Sequence, residues 1–264
     1  MLVIVAHADD PALFCGGTLR RMADDGVRLA MIRVTDDRFD SVGLGVDETI
    51  SRNTHELRAA AEILGIGEII ELGYRTDSLS DVSEVELRER FIFHVRRLRP
   101  YAVMSYDPYG AYGEDNQDHI RVAQAVDETY WTAQFDKHHP EHFEAGIAPH
   151  GVYERWYFAR RLTEITMAVD ISTSMRSKVE AVTAHQTMMR NLAHQLRLQA
   201  RTGEHNIPEL EEIVVEGAAI DPLVERLVTA SAMATGARHG LDYAEEFRVV
   251  RFSGLEAFFE IGAE

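Results

Sequence analysis

The sequence predicts an α/β protein built on a mainly parallel sheet. Three observations carry that expectation. Short β-branched runs alternate four times with amphipathic stretches of helical length, the loops after those runs are long and rich in acidic, aromatic and glycine residues, and the opposite connections are mostly short. Unequal loops place function on the long-loop face, where open α/β sheets bind their ligands.

The alternation begins with "LVIVA" (2–6), a buried-strand run, and the helical "PALFCGGTLRRMADDG" (11–26). "RLAMIRV" precedes "SRNTHELRAAAEILG", in which Leu57, Ala60, Ala61 and Leu64 share one face and Gly65 stands in the C-cap position. "EIIEL" precedes "SEVELRERFIFHVRRLRP", and "YAVMSY" precedes "DHIRVAQAVDETYWTA". Two further runs, "GVYERWYFA" and "EITMAVDIS", read as strands. "SMRSKVEAVTAHQTMMRNLAHQLRLQ" (174–199) reads as one long helix begun by Ser or Thr caps.

From Ala200 to Asp221 the periodicity lapses into a polar, acidic stretch, a surface excursion or lid. The "LVERLVTASAMA" helix beyond it is apolar on more than one side. With no repeat and no Pro/Gly linker, residues 1–264 are expected to form a single domain, with 200–240 as a lid or oligomer segment.

Forty-four acidic against 27 basic residues give a net charge of −17. Such a surface repels polyanions, which argues against nucleic acid or an acidic membrane surface as partner. One cysteine, Cys15, excludes an intramolecular disulfide and a Cys-rich zinc site. Met1 runs straight into apolar residues, with no basic stretch and no run long enough for a signal or a membrane span, which reads as cytoplasmic.

The chemistry-bearing residues cluster at two strand ends. In "AHADDP", His7 and Asp10 lie three apart where the chain turns from strand to helix, so both can face one ion, while Asp9 points elsewhere. A carboxylate beside a metal ion but not bound to it is placed to act as a general base. The plainer alternative makes one aspartate a helix cap and His7 a satisfied strand-end histidine. "DNQDHIRV" (115–122) opens the helix after the fourth strand, and His119 there supplies a third ligand, leaving a position for water. Its plainer alternative has Asp118 as cap and His119 exposed.

Other signals are weaker. "CGGTL" lacks dinucleotide-binding spacing, so Gly16 and Gly17 are read as allowing close helix packing or ligand approach. Cys15 sits in an apolar segment and reads as an inert thiol. "KHHPEHFEAGIAPH" matches no zinc spacing and reads as a solvated loop.

With these residues in view, the chain resembles the PIG-L/LmbE-like family of metal-dependent N-deacetylases. There the first strand ends in A-H-P-D-D before a glycine pair, and H-x-D-H follows the fourth strand. Here "AHADDPALFCGGTL" matches with Ala8 for proline, and the likeness continues through "SRNTHELRAAAEILGI", "LGYRTD", "SYDPYGAYG", "DISTSMRSKVEAVTAH" and "YAEEFRVV". The resemblance implies a Rossmann-like fold with helices on both faces, and zinc or another divalent metal on His7, Asp10 and His119. It makes Asp9 the general base and implies hydrolysis of an N-acetyl or other N-acyl group from an amino sugar or its conjugate. It also implies a homo-oligomer, while the lack of a long apolar run in the sequence argues against membrane insertion. Asp118 joins the catalytic group, and Arg52, Arg75 and Asp77 fall in segments that resemble sugar contacts.

One position departs from the pattern. The first histidine of H-x-D-H falls on Asn116, and Glu114 and Asp115 read as a two-residue insertion. Asparagine donates a hydrogen bond but exchanges no proton, so Tyr112 and Asn116 are expected as oxyanion donors only. The departure also keeps open a catalytically silent sugar-binding or regulatory protein on the same fold.

Overall fold

A computed structural model describes residues 1–251, apart from the side chains of Ala111 and Tyr112. The first strand, β1 (Leu2–Val5), is four apolar residues buried on both faces, as a central parallel strand requires. It leads into α1 (Asp10–Asp24), β2 (Leu29–Thr35), α2 (Val46–Leu64), β3 (Ile66–Tyr74), α3 (Glu84–Leu98), β4 (Ala102–Tyr106) and α4 (Gln117–Thr132). A short α5 (Pro140–Glu144) precedes β5 (Glu154–Phe158) and β6 (Met167–Asp170). Then come α6 (Met175–Ala184), α7 (Gln186–Thr202), α8 (Pro208–Val215), α9 (Asp221–His239) and β7 (Ala244–Arg251).

The strands form one sheet in the order β3-β2-β1-β4-β5-β7-β6. Strands β1 to β5 are parallel, and β7 runs antiparallel to both its neighbours. Parallel crossovers are right-handed. Helices α1 and α2, which carry the chain outward from β1 to β3, therefore cover one face, and α3 and α4, which carry it back, cover the other. The packing agrees, with α6 against α1 and α2, and α3 against α4. Because the chain leaves β1 and β4 in opposite directions, a crevice opens past their carboxyl ends, the switch point at which doubly wound sheets take ligands.

Helix α1 is kinked at Cys15 (φ −142°, ψ 16°). The break frees the backbone N–H groups of Gly17 and Thr18, which donate to the Glu245 carboxylate at 3.0 and 2.8 Å. Lys178 Nζ donates to the same carboxylate at 2.5 Å, so the buried charge is paired. A Cβ at Gly17 would stand 2.7 Å from Ile171, so that glycine does permit the close packing expected of it. Cys15 is buried with its thiol on the Pro11 carbonyl, and burial pushes the thiol well above its ordinary range, which leaves it inert.

Three expectations need correction. The long helix over 174–199 is two helices, α6 and α7, broken at His185 (φ −82°, ψ 55°). Residues 244–251, which no strand pattern singled out, form β7. The histidine-rich segment is not all solvated, because His142 is 3% exposed and bonds Arg96 and Glu89 at 3.0 and 2.9 Å, a tie between α5 and α3.

Candidate active site

Past the end of β1 the chain climbs out of the sheet, and the His7 N–H donates to Asp10 Oδ2 at 2.7 Å, folding the turn onto the start of α1. His7 Nδ1 lies 3.0 Å from His119 Nε2. Asp10 oxygens lie 3.5 Å from His7 Nδ1 and 3.3 Å from His119 Nε2. Tetrahedral ligands bonded at zinc-like lengths stand about 3.3 to 3.6 Å apart, so this buried group of two imidazole nitrogens and the two oxygens of the Asp10 carboxylate has close to the spacing of a metal-binding face.

Each member is held from behind. Glu114 Oε2 accepts from His119 Nδ1 at 2.9 Å, which turns the bare Nε2 toward Asp10. Asp118 Oδ2 lies 3.6 Å from His7 Nε2, and the carboxylate accepts the backbone N–H groups of Asp77 and Leu79 at 2.6 and 3.3 Å. The Tyr106 hydroxyl donates to Asp10 and accepts the Ala6 N–H, while its ring stacks on His119 with centroids 4.3 Å apart. Burial opposes ionisation of Asp10, but the two imidazoles outweigh it and hold the carboxyl well below its usual range. Ala8 donates its N–H to Asp37 Oδ2 at 3.2 Å, a bond that a proline there could not make. Asp37 is anchored in turn by Arg33 and Thr35, each at 3.1 Å.

The cluster opens on a cavity of about 340 Å³, whose wall includes Asp9, Asn116 and Arg160 beside His7, Asp10 and His119. Burial and the adjacent Asp10 charge push the Asp9 carboxyl up to about 8, a base poised close to neutrality. Asn116 is the N-cap of α4: its Oδ1 accepts the Asp118 N–H at 2.9 Å, which leaves only the amide NH₂ as a donor. The cap is thus Asn116 and not Asp118. Tyr112 lies outside the residues whose side chains are described.

The three expected sugar contacts separate. Asp77 lines an adjoining polar cavity of about 680 Å³ that shares His7, Asn116 and Arg160 with the first. Arg52 lies on the exposed face of α2, paired with Glu48 at 2.6 Å, and lines neither cavity. Arg75 is exposed, its guanidinium 5.4 Å from the Phe39 ring centre, and lines neither.

The sequence profile of the PIG-L family, described as GlcNAc-PI de-N-acetylase, matches residues 2–130. Over that stretch, just under half of its length, the chain resembles the PIG-L family. It is 28% identical over 190 residues to a diacetylchitobiose deacetylase of Thermococcus kodakarensis, covering 71% of this chain and 69% of the relative. It is 26% identical over 247 residues to the 1D-myo-inositol 2-acetamido-2-deoxy-alpha-D-glucopyranoside deacetylase of Rhodococcus jostii, covering 72% and 81%. Among solved structures, the N,N'-diacetylchitobiose deacetylase of Pyrococcus horikoshii superposes with a TM-score of 0.76 at 22% identity, covering 95% of this chain and 83% of that one. The 4-carboxy-2-hydroxymuconate hydratase GalB of Pseudomonas putida superposes at 0.64 with 18% identity, covering 94% and 95%. One fold thus carries two reactions, and function rests on side chains.

Several residues of this site escaped sequence reasoning. Glu114 looked like part of an insertion, and Tyr106 like the end of an apolar strand run. Arg160 follows β5 on the ligand-facing side, and its place just past a strand end was the available signal. Asn191 and Gln195 of α7 also reach the cavity, one helical turn apart. No helix among the described residues is long and apolar enough to cross a membrane.

Proposed function

We propose that the protein is a metal-dependent hydrolase that removes the N-acetyl group, or another N-acyl group, from an amino sugar or its conjugate. The observation that carries this reading is the buried group of His7 Nδ1, His119 Nε2 and the two Asp10 oxygens at 3.0 to 3.5 Å, with Asp9 and Asn116 on the wall of the same cavity. The relatives named for N-acetylated sugars support the substrate class.

His7, Asp10 and His119 would hold the metal, and two nitrogens with one carboxylate oxygen suit zinc. Such an ion supplies Lewis-acid polarisation of the amide carbonyl and makes water acidic enough to lose a proton near neutrality. Asp9 would take a proton from the attacking water as the water oxygen bonds to the carbonyl carbon. The Asn116 amide is a donor for the oxygen that gains charge. Asp9 then returns the proton to the sugar nitrogen as the C–N bond breaks, releasing the amine and a carboxylic acid, which ionises by giving its proton to water or to the amine. Glu114 and Asp118 keep the two imidazoles in register throughout.

The test is to load purified protein with zinc, count bound metal, and assay N-acetylglucosamine and diacetylchitobiose for released acetate. Metal bound at one per chain with turnover that disappears in Asp9→Ala supports the reading. Bound metal with no turnover on either sugar supports instead a silent sugar-binding protein, the reading that Asn116 in place of histidine favours.

A further inference from the structure

Among the cavities that adjoin the one at the cluster, two have opposite chemistry. The polar one of about 680 Å³ presents Thr76, Asp77, Gln117 and Gln199 among its walls. The other, of about 150 Å³, shares Leu13, Met189 and Leu192 with the cluster cavity and is otherwise walled by Val182, Val224, Leu227 and Val228, with Ser231 at its exposed rim. Lys178 also borders it, but its ammonium is engaged by Glu245 and by the Leu13 carbonyl at 2.5 and 2.8 Å, so only its aliphatic stem is left to the space.

An amide substrate has two arms diverging from the reacting carbonyl carbon. Under the deacylase reading, on which this inference rests, the amine arm is a sugar whose hydroxyls match the polar lobe. The acyl arm of an acetamide is a single methyl, which leaves the apolar lobe unfilled. A cavity of about 150 Å³ lined by aliphatic side chains is large enough for a six-carbon guest. We propose that the protein's substrate carries an N-acyl chain of about four to six carbons, whose tail crosses Leu13 and Leu192 and lies in the lobe between α7 and α9. Hydrolysis then releases the free amino sugar and a short fatty acid, with water as the only co-reactant.

The experiment compares kcat/KM of the zinc-loaded full chain on glucosamine bearing N-acetyl, N-butyryl and N-hexanoyl groups. Each methylene buried in the lobe is worth up to about fourfold, so hexanoyl should exceed acetyl by on the order of 10²-fold. Val228→Trp fills the lobe from within and Ser231→Phe covers its rim, a milder change at an exposed position. Either should bring the hexanoyl-to-acetyl ratio down toward one. If acetyl is cleaved and the longer chains are cleaved no faster, or if both variants leave the ratio unchanged, the acyl assignment is overturned while the deacylase reading stands. If no chain length is cleaved by metal-loaded protein, the deacylase reading falls and the acyl assignment falls with it.

Discussion

His119 Nδ1 lies 2.9 Å from Glu114 Oε2, and Glu114 also accepts the Asn116 N–H at 2.9 Å through its other oxygen. A residue read as part of an insertion therefore fixes both the ring that faces Asp10 and the start of α4. Glu114→Gln should weaken metal affinity about 10- to 100-fold, because the ring loses the carboxylate that sets its tautomer. Competition with a metallochromic chelator reads this directly, and an unchanged affinity would remove Glu114 from the site.

The two neighbouring aspartates should separate in function. Asp10→Ala, like His7→Ala and His119→Ala, should lower metal content, since three protein ligands leave little redundancy. Asp9→Ala should keep the metal and lose turnover by at least about 10². Metal analysis beside acetate release decides the matter, and metal retained in Asp10→Ala but lost in Asp9→Ala would exchange their roles.

Asn116 has two duties that different substitutions divide. Asn116→Asp keeps an oxygen for the Asp118 N–H but loses the amide donor. Its kcat should fall by up to about 10² to 10³, with stability nearly unchanged. Asn116→Ala should show the same loss and an added destabilisation of about 1 kcal/mol from the missing cap. Equal melting temperatures for the two variants would show that the cap contributes nothing.

Gly17→Ala should destabilise the fold by about 1 to 3 kcal/mol, because the added methyl meets Ile171 at 2.7 Å with the helix already held by Glu245. A urea titration measures the shift in midpoint. Gly16→Ala, whose new methyl would meet Leu64 at 3.4 Å, is the internal control and should cost less.

His185 is fully buried at the α6–α7 break, and neither ring nitrogen has a partner among the described residues. Burial pulls its pKa down to about 4. The unfolded chain, with an ordinary histidine near 6.5, then binds more protons than the fold, so stability falls as pH drops below about 6.5 and levels off below about 4. His185→Leu removes that slope. Relative to the wild type the variant should gain up to roughly 3 kcal/mol between pH 7 and 4, read from denaturation midpoints at several pH values. A difference that does not change with pH would mean that folding leaves the His185 pKa where it stands in the unfolded chain.

What the sequence disclosed followed the range of the contacts. β1, α1 and the pairing of His7 with Asp10 were legible because they lie within one turn of each other, and Gly65 was legible as a cap because its left-handed φ of 77° suits glycine. His119 was legible as a partner only through motif spacing. Tyr106 on Asp10, and Lys178 with Glu245 on α1, join positions 67 to 228 residues apart, and no local pattern encodes them. The α6–α7 break carries neither proline nor glycine. The outward direction of Arg52 is set by α2, and Glu48 one turn earlier was the sign of a solvated pair.

The bond from Gly17 to Glu245 spans 228 positions, and it has a consequence for the order in which the protein comes into being. The stretch that matches the family profile ends at residue 130, yet the helix that carries Asp10 keeps two backbone donors unanswered until a strand made more than a hundred residues later arrives. During synthesis His7, Asp10 and His119 can gather early, but their scaffold locks only when Ala244–Arg251 slides in between β5 and β6. Ribosome-stalled chains ending before residue 240 should therefore be protease-sensitive around Gly16 and Gly17, and chains extended past β7 should not.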